Sequence, residues 1–185
     1  KGGAHLENLG RVQVMAFDKT GTLTTGRFAV TDILLLDGAG EDEVLRLAGA
    51  VERQSSHPLA QAVVSAAEER GMALPPAENV QNVAGRGLCG QIEGRRVGVG
   101  ALAFMRETEG ISVTPQVTAA VAALEEAGKS TALVAADGEI VGILALADQP
   151  RPRVGEILHR LRELGVRKLV MLTGDNPQAA ARIGA

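Results

Sequence analysis

Short apolar runs alternate with segments of helical period along the chain, and the alternation predicts a layered α/β architecture. Residues 12–17 are short, apolar and followed by turn formers, which predicts a buried parallel strand. Residues 30–36 predict a second strand. Residues 41–53 place Val44, Leu47, Ala48 and Val51 on one helical face. A second helix is expected over 58–70, with Pro58 in its first turn and Gly71 as its stop. Segments 79–84, 88–93 and 95–99 follow quickly, and Glu93-Gly94-Arg95 reads as a hairpin turn, so an antiparallel meander is expected. A helix over 115–127 lies between the cap Thr114 and Gly128. Strands 131–136 and 139–147 are joined by the hairpin signal Asp137-Gly138.

Residues 148–152, Asp-Gln-Pro-Arg-Pro, break the pattern and read as a hinge. Beyond them Val154, Ile157, Leu158, Leu161 and Leu164 mark a helix stopped by Gly165, and 166–172 predict another buried strand. The domain reading is therefore an α/β unit, residues 1–25 and 148–185, interrupted by an α+β insert, residues 26–147.

The 185 residues suffice for one large or two small domains. Apolar residues make up 45% but aromatics only 2%, so the core must be aliphatic. A net charge of −3 gives no electrostatic case for nucleic acid. The single cysteine, Cys89, rules out a disulfide within the chain and fits a reducing compartment. No signal-peptide pattern is read, and the apolar run 140–147 is far shorter than the ~20 residues of a membrane helix. A soluble monomer is expected.

The chemistry concentrates after the first strand. Asp18-Lys19-Thr20-Gly21-Thr22-Leu23-Thr24 sets a carboxylate at a strand's carboxyl end, where open α/β sheets place ligand sites. Hydroxyls, backbone N–H groups and a turn glycine follow, a cradle for a phosphoryl group beside a nucleophile. Taken alone, an Asp after a strand is a cap or turn residue. The whole string resembles the phosphorylation motif of P-type ATPases, which form an aspartyl-phosphate during ion transport. Related haloacid-dehalogenase-like phosphatases carry a second Asp where this chain has Thr20. A threonine is a poor base, so the resemblance implies a phosphoenzyme that persists.

Thr173-Gly174-Asp175 also follows a strand and resembles the family's second phosphorylation-domain motif. The likeness implies that Thr173 contacts the phosphoryl group and Asp175 organises the site. Glu52 through Ser55-Ser56-His57-Pro58-Leu59 resembles an element of the heavy-metal-transporting branch, where the Glu and the His belong to the ATP pocket. Without the likeness, His57 is a helix-start residue. Gly85-Arg86-Gly87 resembles that branch's G-x-G element; otherwise it is a turn in the meander. Arg151 matches a hinge arginine near the phosphates, and Lys19 belongs to the signature; for Arg151 a solvated linker cation is the alternative. Cys89 is expected to be a small buried hydrophobe.

The resemblance covers essentially the whole chain. It implies a haloacid-dehalogenase-like phosphorylation domain, expected to be incomplete, interrupted by a nucleotide-binding domain with an antiparallel sheet flanked by helices. Asp18, Thr20, Thr173 and Asp175 are the implied catalytic residues. Glu52, His57, Gly85, Gly87, Lys19 and Arg151 are the implied ATP-binding residues. Asp18 and Thr20 are implied to hold Mg²⁺. The family's later G-D-G-x-N-D segment does not occur before Ala185, so weak nucleotide binding without steady turnover is expected. The implied partners are an actuator domain and membrane helices of the same pump, at the cytoplasmic face of the cell membrane. The strings K-G-G-A-H-L-E and V-M-L-T-G-D-N favour a zinc, cadmium or cobalt pump over a copper pump. A soluble phosphatase and a nucleotide-binding module without catalysis are the alternative classes.

Overall fold

The computed structural model describes residues 10–36 and 38–172. The chain divides into two compact units, Lys1–Gly26 with Asp148–Ala185, and Arg27–Ala147. The expected Thr173 and Asp175 lie outside the described residues.

In the first unit, β1 (Val14–Asp18) pairs in parallel with β8 (Lys168–Leu172), in register from Val14 opposite Lys168 to Asp18 opposite Leu172. The connection carries a helix, here α5 (Val154–Glu163). The parallel pairing agrees with the apolar pattern, but the expected burial does not. Val14 is 57% exposed, and the residues of β1 alternate between exposed and half-buried. This sheet has only two strands among the described residues. α5 likewise buries none of its side chains, and Ile157 is exposed. Apolarity marked both elements, but the two strands and one helix among the described residues do not enclose a core.

The second unit is built on a six-stranded sheet of order β2-β7-β6-β5-β4-β3. The strands are β2 (Thr24–Leu35), β3 (Glu78–Val83), β4 (Gly87–Ile92), β5 (Arg95–Gly100), β6 (Ser130–Ala136) and β7 (Glu139–Pro150). β3 through β7 form an antiparallel series. Glu93-Gly94 and Asp137-Gly138 make its tight turns, with positive φ at both residues of each pair.

Neighbouring residues on a strand face opposite sides, and the core follows that period. Val134 and Leu144 join Val44, Leu47, Val51 and Val63 of α1 (Glu41–Glu52) and α2 (Pro58–Glu69). Leu133 and Ile143 join Phe104, Met105, Val117 and Val121 on the other face. These come from α3 (Leu102–Glu107) and α4 (Pro115–Glu126). Thr114 caps α4 by accepting from the Val117 N–H.

One helix was not expected, and two strand boundaries move by more than two residues. α3 has six residues, too few to display a helical period, and it exists to deliver Phe104 to the core. β2 begins at Thr24 rather than at residue 30, because pairing beside β7 recruits the polar and glycine-containing start. β7 runs through Asp148 to Pro150 where a hinge was expected. Pro150 ends the strand, consistent with proline's confinement to strand margins.

Candidate functional site

Two sets of residues carry candidate chemistry, one in each unit. In the first unit, Asp18 ends β1 with its side chain exposed. The chain then makes a single wide turn over Lys19–Leu23, closed by the Thr24 N–H donating to the Lys19 carbonyl. The turn leaves helical geometry at Thr20 (ψ 121°) and at Gly21 (φ 77°). Gly21 occupies a left-handed conformation that a side chain disfavours. Lys19 and Leu23 are buried, whereas Thr20 is exposed beside Asp18.

This turn is held from a distant part of the sequence. The Gly21 N–H donates to Thr24 Oγ1 at 3.2 Å. The Thr24 hydroxyl donates to Asp148 Oδ2 at 2.5 Å. Arg151 donates from Nε to the Thr22 carbonyl at 2.9 Å and from Nη2 to the Gly21 carbonyl at 2.7 Å. Its own backbone N–H reaches the Leu23 carbonyl at 2.9 Å. Asp148 was not singled out from sequence. The D-x-x-R spacing with Arg151 was the available signal, but nothing local pairs it with Thr24.

In the second unit, four of the expected residues come together. Glu52, His57, Gly85 and Gly87 line one cleft of about 310 Å³. Gly100, Asn82 and Arg86 also line it. Leu59, Val83, Leu88 and Val99 make much of its wall apolar.

Each residue reaches the cleft for a local reason. Glu52 ends α1 and is 8% exposed. Its Oε2 is buried without a hydrogen-bond partner. Burial pushes its carboxyl up from 4.5 to about 7. His57 caps α2, with Nδ1 accepting from the Leu59 N–H at 3.2 Å. A neutral imidazole with Nδ1 as acceptor carries its proton on Nε2, leaving that edge as a donor. Pro58 at the first helical position fixes the turn.

Gly85 (φ 71°) makes the β3–β4 turn, closed by the Arg86 N–H on the Val83 carbonyl at 2.9 Å. Gly87 faces Gly100 across the β4–β5 pair. A Cβ on Gly87 would stand 2.5 Å from the Val99 carbonyl oxygen and 2.8 Å from both the Gly100 Cα and the Phe104 ring. The strands approach the phenyl ring only because both positions lack side chains. The result is an apolar slot with a buried carboxyl and an imidazole N–H, fit for a flat heteroaromatic ring with a polar edge.

Among the described residues no three His, Cys, Asp or Glu side chains group to hold a metal ion. Asp18 is nonetheless a hard oxygen donor of the kind Mg²⁺ shares with substrate phosphates. Cys89 is 2% exposed, and burial raises its thiol pKa, as suits a small core hydrophobe. Among the described residues no helix is long and apolar enough to cross a membrane.

Comparison with known proteins gives the setting. The chain is 42% identical over 181 residues to a zinc-exporting P-type ATPase of Mycobacterium marinum, covering 97% of this chain and 25% of that protein. It is 44% identical over 183 residues to a zinc/cadmium/lead-transporting P-type ATPase of Escherichia coli, covering 99% and 24%. A crystal structure of a zinc-transporting PIB-type ATPase superposes with a TM-score of 0.87 at 43% identity, over 100% of this chain and 29% of that one. The chain thus spans about a quarter of the length of the curated relatives it matches. Residues 12–185 match the haloacid dehalogenase-like hydrolases. By that match, which takes in Asp18 at the carboxyl end of its parallel strand, the chain belongs to the haloacid dehalogenase-like hydrolase family.

Proposed function

We propose that this chain is the ATP-binding and phosphorylated portion of a heavy-metal cation-exporting P-type ATPase. The observation that carries the reading is the cleft in which the buried Glu52 carboxyl, its Oε2 without a partner, lines one wall with His57, Gly85 and Gly87. Adenine fits the apolar slot, with its edge toward Glu52 and the Nε2–H of His57. Gly85 and Gly87 let the backbone come close to the nucleotide.

In the reaction, a carboxylate oxygen of Asp18 attacks the γ-phosphorus. An O–P bond to Asp18 forms, the bond from the γ-phosphorus to the bridging oxygen breaks, and ADP leaves with that electron pair. Mg²⁺, when bound, neutralises phosphate charge in such transfers. Asp18 and Thr20 are the residues of this loop assigned to hold it, together with the nucleotide's own oxygens. Thr20 offers no base to activate water, which leaves the acyl phosphate long-lived. Thr173 and Asp175 are assigned to the same phosphoryl site and Lys19 to its charge.

The whole protein would couple this intermediate to export through an actuator domain and membrane helices, with this portion at the cytoplasmic face. Zinc, cadmium or cobalt is the favoured cargo class, in keeping with the similarity to zinc-type pumps. Titrating ATP into the chain and into His57→Ala tests the pocket. An affinity about tenfold lower in the variant is expected, equivalent to about 1.4 kcal/mol. Equal affinities would remove His57 from the site.

A further inference from the structure

We propose that Arg151, with Asp148, sets the shape of the loop after Asp18 and is a positioning residue for phosphoryl transfer rather than a ligand of the nucleotide. The transfer itself rests on the function proposed above; the loop-setting role does not. Three consecutive loop carbonyls, Gly21, Thr22 and Leu23, each accept from Arg151, two from its guanidinium and one from its backbone N–H. Arginine suits this because its planar fork presents parallel donors in fixed geometry. A lysine ammonium has no such fork.

Holding carbonyls also aims N–H groups. In a trans peptide the C=O and the next N–H point in opposite directions. Fixing the carbonyls of Gly21 and Thr22 on Arg151 therefore fixes the N–H groups of Thr22 and Leu23 facing away from it. The second hold is the relay from the Gly21 N–H to Thr24 Oγ1 to Asp148 Oδ2. Thr24 is 1% exposed, so the middle of this part-buried relay is desolvated and its geometry is enforced there. Asp148 Oδ1 is buried without a partner, a cost the fold carries to keep that carboxylate beside Thr24. Both holds come from one tetrad, Asp148 to Arg151, and both end on the residues following Asp18.

Two kinds of measurement separate loop setting from nucleotide binding. Hydrogen–deuterium exchange is followed at the amides of residues 19–24 in wild type, Arg151→Gln, Arg151→Lys and Asp148→Asn, with the paired β1 and β8 amides of the same unit as the folding control. Loop amides are expected to exchange about tenfold faster in all three variants while β1 and β8 are unchanged. In the full-length protein carrying this chain, acyl-phosphate formation is then measured from ATP and from inorganic phosphate. The Arg151 variants are expected to lose about tenfold with either donor while ATP affinity stays within about twofold of wild type. Arg151→Lys should not rescue. Unchanged loop exchange with β1 and β8 intact would overturn the proposal. A fall in ATP affinity with normal labelling from inorganic phosphate would also overturn it. If wild type forms no acyl phosphate, the proposed function fails, and the exchange data still decide the loop-setting role.

Discussion

Gly87 and Gly100 stand opposite each other on β4 and β5, so close that a Cβ on either would lie 2.8 Å from the other's Cα. Both line the cleft that holds Glu52 and His57. Gly87→Ala would press its methyl on backbone atoms of β5, which have no flexible end to move. A loss of about 1–3 kcal/mol is expected by urea denaturation, the usual cost of overpacking. Gly85→Ala meets no atom within 4 Å and is strained only by its φ of 71°. It should cost about 1 kcal/mol. If the two variants are equally stable, the close approach is not what requires Gly87.

His57 has two duties that one pair of variants can separate. Its Nδ1 caps α2 through the Leu59 N–H. His57→Ala should lose about 1 kcal/mol of stability, whereas His57→Asn keeps an acceptor at the cap and should lose little. Both remove the imidazole N–H from the cleft, so both should weaken ATP binding. Thermal melts beside calorimetric titrations check this. An Asn variant that binds ATP like wild type would reduce His57 to a helix cap.

The parts of the site legible in sequence were those carried by local strings. Asp18 stands after an apolar strand, and Glu52 and His57 flank one helix junction, so a short window contains each signal. The close approach of Gly100 to Gly87 and the Thr24–Asp148 pair were not legible. Gly100 matters through the register of β4 against β5, and Thr24 meets Asp148 across 124 positions of sequence. Burial of β1 was misjudged because an apolar run reports what a strand could bury, not how many neighbours cover it. α3 escaped because six residues hold less than two helical turns.

Glu52 predicts a pH dependence of stability. In the folded chain its carboxyl keeps its proton up to about pH 7, against an ordinary value of 4.5. Between those values the folded state holds more proton than the unfolded state, so stability falls as pH rises. The contribution is complete below the ordinary value and lost once pH passes about 7, on the order of 3 kcal/mol in all. Glu52→Gln should flatten this fall and be more stable than wild type at pH 8. Urea midpoints of both proteins at pH 5 and pH 8 check it; parallel curves would contradict the burial argument.

The central claim is that Asp18 becomes phosphorylated. The direct measurement is acid-quenched labelling of the full-length protein carrying this chain with γ-³²P-ATP, in wild type and in Asp18→Asn. The account predicts an acid-stable, hydroxylamine-sensitive label on wild type, mapped to the peptide containing Asp18, and none on the variant. Labelling of Asp18→Asn equal to wild type, or a label mapped elsewhere, would contradict it.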